Sequence, residues 1–404
     1  MNRRESKEAF LMTQEREERL IGLCRDLLRL PSLSGQEEQV ARYLQNTMEA
    51  CGFDRAEIDR YGSVVGIIQG NRPGPTVLMD GHIDTVPVSD PSQWTHDPYG
   101  AEIADGRIYG RGASDMKGSV AAMVSAASHF AQDTGRDFAG RVCVSCTVHE
   151  ECFEGVSSRE VIRSVRPDCV IIGEATSTTL KIGQRGRAEV VVETEGVTCH
   201  SSSPEKGVNA VYHMCALIDE IRKIRPNTHP LLGPGILELT DIVSSPYPGA
   251  SVVPGLCRAT FDRRTLVGET ESSVLEQVQE AIERTRSRIP DLKARVYLAE
   301  GREGCWTGDT IAAKRFFPAW AMEEDHPLVQ KALAGLRQAG IDAPLSHFAF
   351  CTNGSAFCGE AGIPTVGFGP SLETLAHVVD EYIEIEQLTR ACRGFAGILG
   401  QLCR

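Results

Sequence analysis

Apolar positions recur along the chain with two different periods, and the changes of period predict the order of its elements. From residue 15 to 52 they return every three or four positions, the spacing of a helix, interrupted by "LPSLSG" and closed by Gly52. "SVVGIIQG" and "PTVLMDGHIDTVP" are short apolar runs ending in turn residues, as buried strands do. "SDMKGSVAAMVSAASHFAQ" has small residues at helical spacing and suits close packing on a sheet. "GRVCVSCTVHEE" and "PDCVIIGEAT" are two further strands, each running straight into acidic residues. Strands alternating with helices predict an α/β sheet, mostly parallel, with both faces covered.

From about residue 187 the texture changes. "RAEVVVETEGV", "GVNAVYHMCALIDEIRKI", "GILELTDIV", "GLCRATFDRRT", "SSVLEQVQEAIERTRSRI" and "LKARVYLAE" read in order as strand, helix, strand, strand, helix, strand. That is the split-βαβ, or ferredoxin-like, order. The α/β texture returns after residue 302 with "HPLVQKALAGLRQAG", "IPTVGFGP" and a helix after "AHVVDEYI". The expected organisation is therefore a discontinuous domain, residues 1–186 and 302–404, interrupted by an inserted α+β domain at 187–301. A chain of 404 residues is long enough for two cores.

Charge and cysteine content narrow the function classes. The net charge of −13, with no basic cluster standing apart from acidic neighbours, argues against nucleic acid as a partner. The opening thirty residues carry charges of both signs and lack the apolar run of a signal peptide, and no stretch is long enough to span a bilayer. The fourteen cysteines show no disulfide-framework spacing and point to reduced thiols in a cytoplasmic protein. Cys143 and Cys146 form a CxxC inside an apolar strand, where two small residues filling a core are expected rather than redox or zinc chemistry.

Candidate chemistry collects where the strands end, the edge at which open α/β sheets place their sites. His82 and Asp84, two apart, share one face of an extended segment. Asp115 opens a predicted helix, Glu150 and Glu151 end one strand, Glu174 ends the next, and His377 precedes the last helix. Alone, Asp115 reads as an N-cap, His82 with Asp84 as a turn, and the glutamates as a solvated strand end. Together, two imidazoles and several carboxylates at one sheet edge suit a divalent metal such as zinc, cobalt or manganese.

The ordered series "GHIDTVP", "GRGASDMKGS", "HEE", "IIGEAT", "CHSSSPEKGVNA" and "AHVVDEY" resembles the dinuclear-zinc amidohydrolase and peptidase family of acetylornithine deacetylase, succinyl-diaminopimelate desuccinylase, aminoacylase and carboxypeptidase G. "FCTNGSAFCGEAGIPTVGFGP" and "FDRRTLVGET" look most like its YgeY-type, selenium-metabolism-linked members. The resemblance implies two divalent cations, zinc first, with Asp115 bridging. His82 and Glu174 complete one ligand set, Glu151 and His377 the other. It further implies that Asp84 orients His82, that Glu150 is the general base, that the Asp115–Met116 peptide is cis, and that His200 is an oxyanion donor carried by the inserted domain. A homodimer through that domain is implied as well.

One segment departs from the family pattern. Where many relatives read "GTDAR", with the arginine holding a substrate carboxylate, this chain reads "CTNGS", with Asn353 for the aspartate and Ser355 for the arginine. Serine offers no charged fork. Substrate contacts are therefore expected from Asn353, Ser355, Arg185 and, first among the remaining arginines, Arg264 in its "DxR" spacing. The expected activity is hydrolysis of an amide-type C–N bond in a small polar metabolite, by a deacylase, ureido hydrolase or dipeptidase. The alternative, a metal-binding protein of the same fold that has lost catalysis, rests on the "CTNGS" segment alone.

Overall fold

The computed structural model describes residues 11–404; residues 1–10, the start of the expected first domain, lie outside the described residues. The chain divides into two compact units, one of the described residues up to Gln184 with Arg302–Ala312 and Ala321–Arg404, the other of Arg185–Gly301 with Ala313–Trp320. Residues 313–320, expected in the first domain, belong to the second unit because Phe316 and Phe317 pair with Ala188 and Arg187 of its central strand.

The first unit is built on a mixed sheet. From one side its strands run Arg55–Ile58, Val64–Gln69, Ala139–Thr147, Arg72–His82, Cys169–Ile172, Thr365–Gly367 and Leu180–Gln184, with Leu345–Phe348 also pairing the last. The four strands from Ala139–Thr147 to Thr365–Gly367 are mutually parallel, and antiparallel strands close either side. All four residues of Cys169–Ile172 are buried, and so is every residue from 76 to 82. Because successive side chains point to opposite faces, this continuous burial means both faces of the sheet are covered. Cys143 and Cys146 are buried members of their strand.

The helices follow the apolar periodicity. Gln14–Leu28 and Glu38–Ala50 flank the "LPSLSG" break, and Gly52, at φ 87°, turns the chain out of the second. The small-residue helix spans Lys117–Thr134, is buried over most of its length, and packs against Gln14–Leu28 and Ile385–Leu402. It begins after Asp115 rather than at it: Met116 occupies the cap, with no side-chain cap bond. Asp115 is thus left to point elsewhere. Among the described residues no helix is long and apolar enough to cross a membrane.

The second unit follows the order strand Gly186–Glu195, helix Ala210–Ile221, strands Ile236–Ser245 and Leu256–Thr265, helix Glu271–Arg286 and strand Lys293–Leu298. Its antiparallel sheet runs Ile236–Ser245, Leu256–Thr265, Gly186–Glu195, Lys293–Leu298, the ferredoxin-like arrangement. The core of the unit includes Val190, Val192, Met214, Leu217, Phe261, Val278 and Ile282. Ile236–Ser245 forms an edge with exposed Ile242 and Val243.

Candidate metal centre

Strand ends and the loops that follow them place the chemistry of the first unit. His82 closes the Arg72–His82 strand, deep in the fold. Its Nδ1 lies 2.9 Å from the backbone carbonyl oxygen of Asp84 and 3.5 Å from the Asp84 Oδ1. A ring nitrogen facing a carbonyl must carry the proton, so in the neutral ring Nε2 holds the lone pair. Nε2 faces Asp115 Oδ1 at 2.9 Å and Glu174 Oε1 at 3.6 Å.

Asp115 looks two ways. Its Oδ1 meets His82, while its Oδ2 lies 3.2 Å from His377 Nε2. Glu151 completes the second group, with its two carboxylate oxygens 3.1 and 3.0 Å from the same nitrogen. Two sets, His82–Asp115–Glu174 and Asp115–Glu151–His377, each gather one ligand atom per residue within 4.8 Å, and Asp115 is common to both. The peptide from Asp115 to Met116 is cis.

The adjacent glutamates follow from a break in strand geometry. The Ala139–Thr147 strand stops at Thr147, and His149 adopts φ 59° in the left-handed region, so regular alternation no longer governs Glu150 and Glu151. Both backbone amides donate to Asp84, Glu150 to Oδ1 at 3.0 Å and Glu151 to Oδ2 at 3.1 Å. The Ser34 hydroxyl adds a third donor to Asp84 at 2.7 Å. The Glu150 carboxyl is buried and belongs to neither ligand set.

Proton affinities reflect this crowding. Burial, then the charges of Glu174, Glu151 and Glu154, push Glu150 well above the usual carboxylate range, although His82 opposes them. Glu174 is pushed up to about 8, first by burial and then by Asp115 and Glu151. For His82, burial disfavours the charged ring, but Asp115, Asp84 and the Glu174 charge outweigh it and raise the ring well above 6.5. Hydrogen bonds to Asp115 and Glu151 raise His377 to about 10. The donor set fits divalent cations: three carboxylates, those of Asp115, Glu151 and Glu174, stand against two imidazoles, and their ligating atoms converge.

The other expected residues lie elsewhere. In the second unit, His200 is exposed, and the Ser202 amide donates to its Nδ1 at 3.1 Å. Nδ1 is then an acceptor, and the neutral ring presents Nε2–H as its donor. Arg264 Nε pairs with Asp262 Oδ1 at 2.7 Å, and Arg187 reaches Asp262 Oδ2 at 3.3 Å. Arg185 donates to the Pro234 carbonyl at 3.2 Å.

Asn353 and Ser355, expected as substrate contacts, are both buried, and their polar atoms are used inside the fold. Asn353 Nδ2 donates to Asp80 Oδ2 and to Thr147 Oγ1, each at 2.9 Å, while its Oδ1 accepts the Gly155 N–H at 2.7 Å. Ser355 Oγ accepts from Gln184 Nε2 at 3.0 Å. A residue absent from the sequence reading is Glu381, fully buried and bonded to the amides of Ser114 and Asp115. The one signal in the sequence that points to it is the acidic pair Asp380–Glu381 in "AHVVDEY".

The description "Peptidase family M20/M25/M40" matches residues 78–401. The protein YgeY of Escherichia coli (strain K12) is 34% identical over 379 residues, which cover 93% of this chain and 92% of that protein. A succinyl-diaminopimelate desuccinylase of Cereibacter sphaeroides (strain ATCC 17025 / ATH 2.4.3) is 31% identical over 386 residues, covering 91% of this chain and 94% of the enzyme. Among solved structures, aminopeptidase PepT from Bacillus cereus ATCC 10987 superposes with a TM-score of 0.74 at 18% identity, over 96% of this chain and 98% of that one.

Proposed function

The chain belongs to peptidase family M20/M25/M40 and is a metal-dependent hydrolase of C–N bonds, and we propose that it works with two divalent cations, zinc first, on an amide-type bond of a small polar metabolite. The observation that carries this reading is Asp115, whose two oxygens face different imidazoles, each group completed by a further glutamate. His82, Glu174 and Asp115 would hold one cation, and Asp115, Glu151 and His377 the other. Two cations bound there supply a water of lowered pKa and polarise the scissile carbonyl.

The chain's own groups do the rest. Asp84 fixes the His82 tautomer through Nδ1 and so keeps Nε2 as a ligand. Glu150, buried beside the ligands without joining either set, takes the proton of the attacking water and returns it to the leaving nitrogen. Its raised proton affinity suits that transfer. His200, with Nε2–H as its donor, is assigned to the developing oxyanion. The exposed Ile236–Ser245 edge supports a homodimer through the inserted domain. The cytoplasm is the proposed compartment, on the cysteine usage.

A deacylase, ureido hydrolase or dipeptidase all fit this machinery, and the succinyl-diaminopimelate desuccinylase relative supports the first. The "CTNGS" segment lends no weight to a non-catalytic protein, since Asn353 and Ser355 serve the interior. Metal analysis combined with hydrolysis of N-acyl amino acids, N-carbamoyl compounds and dipeptides tests the proposal. Two equivalents of metal and turnover of at least one class are expected. Bound metal with no turnover in any class would overturn the reaction assigned.

A further inference from the structure

Glu381 stands four residues beyond His377 and is fully buried, a costly place for a carboxylate. Its Oε1 accepts the N–H groups of Ser114 at 2.8 Å and Asp115 at 3.0 Å. Oε2 takes Arg111 Nη1 at 2.6 Å, and that guanidinium is itself buried, with the Trp94 ring 5.3 Å from its carbon. The surrounding backbone is joined as well. Gly110 N–H donates to the Glu381 carbonyl at 2.9 Å, and Ser114 Oγ to the Tyr382 carbonyl at 2.9 Å. Asp380, the preceding residue, accepts the amides of Thr95 at 2.8 Å and His96 at 3.3 Å.

The same construction occurs at Asp84. That carboxylate, two residues beyond His82, accepts the amides of Glu150 and Glu151. Each of these two buried carboxylates, Asp84 and Glu381, therefore ties the segment bearing one imidazole to the backbone of a carboxylate ligand: the His82 segment to Glu151, and the His377 segment to Asp115. A buried ion pair such as Arg111–Glu381 contributes little net stability over an apolar pair of similar volume. Its geometry is what it adds.

We propose that Glu381, anchored by Arg111, is a positioning residue that sets the spacing of His377 and Asp115 and thereby the affinity for the cation these two share with Glu151. The inference rests on the two-cation reading above. Glu381→Asp keeps the charge but withdraws the carboxylate from the two amides by one methylene. Arg111→Met/Glu381→Gln removes the charge together with its partner while keeping the amide acceptor in reach. Arg111→Met/Glu381→Leu removes both charge and acceptor.

The test is titration of each metal-free protein with zinc against a chromophoric chelator, with the absorption spectrum of the cobalt-loaded form and the melting temperature of the metal-free form. Glu381→Asp and the Leu-containing double variant are expected to fold but to melt below wild type, because two buried amides lose their acceptor, to bind one cation about tenfold more weakly, and to show an altered cobalt spectrum. The Gln-containing double variant is expected to keep near-wild-type affinity. Wild-type affinity and spectrum in the folded Asp or Leu variant would overturn the proposal. So would an equal loss in the Gln variant, which would make charge rather than reach the cause. A wild-type protein that itself binds no second cation would instead defeat the two-cation reading.

Discussion

Two buried polar clusters of the first unit are built on opposite principles. Around Asn353, donors and acceptors match: Asp80 accepts from Ser145 Oγ and Asn353 Nδ2, Asn353 Oδ1 accepts from Gly155, and Gln184 both donates and accepts. Around Asp115, they do not match, since carboxylates outnumber imidazoles and several ligand oxygens converge on one another. The first cluster closes on itself and needs nothing further. The second is complete only with added positive charge, and this difference separates a structural network from a site.

Removing the cations should therefore damage one cluster only, and with the largest effect. Chelation is expected to abolish turnover, with recovery on adding zinc. The metal-free protein should also lose stability as pH rises from 6 to 9. Glu174 moves from 4.5 to about 8 and His377 from 6.5 to about 10, so both bind protons more tightly in the folded state. Their contribution is fully present below the lower value and lost through the upper one. Asp80, raised from 3.8 to about 6 chiefly by burial, loses its contribution below that window and does not interfere. Melting curves at several pH values check this, and a metal-free protein with no slope would remove the contrast.

Next in size is Glu150→Ala. A general base contributes on the order of 10²–10⁴-fold, and kcat/KM is expected to fall by about that much. Metal content should stay at the wild-type level because Glu150 belongs to neither ligand set. Loss of metal in this variant would make Glu150 a ligand, and retained turnover would remove it as the base.

Asn353→Ala probes the closed cluster from within. It leaves the Gly155 N–H and one Asp80 oxygen without a protein partner, a cost of roughly 2–6 kcal/mol at ~1–3 for each buried group. Urea unfolding measures this loss. Metal content and kcat/KM at 25 °C should stay close to wild type. A drop in activity with unchanged stability would place Asn353 in the site instead.

The two clusters were unequally legible in the sequence. Residue type and position at strand ends exposed His82, Glu151 and Glu174, since ionisable side chains following apolar runs stand out. The ferredoxin-like order was legible because local periodicity names each element. Asn353 was not, because its three partners lie on Asp80, Thr147 and Gly155, each more than 190 residues away in sequence, and an amide carries no sign of whether it faces a ligand or a strand. Glu381 escaped for the same reason: its partners are backbone amides, which have no letter of their own. Residues 313–320 were misassigned because the short Phe316–Phe317 pairing is fixed by a strand far earlier in the chain.

Ser355→Ala is the smallest and most discriminating change. The hydroxyl accepts from Gln184 Nε2 and lies 3.1 Å from Cys351 Sγ; Gln184 Nε2 also donates to the Thr352 carbonyl at 3.2 Å and so keeps a partner after the substitution. Losing the bond to Gln184 costs about 0.5–1.5 kcal/mol, and the thiol contact is the weaker of the two. If Ser355 is interior structure, that loss appears in the unfolding curve and KM stays unchanged for acidic and neutral substrates alike. If KM instead rises severalfold while stability holds, the serine takes over part of the role that the family gives to arginine. The closed cluster would then extend into the substrate site, and the two regions could no longer be treated as separate.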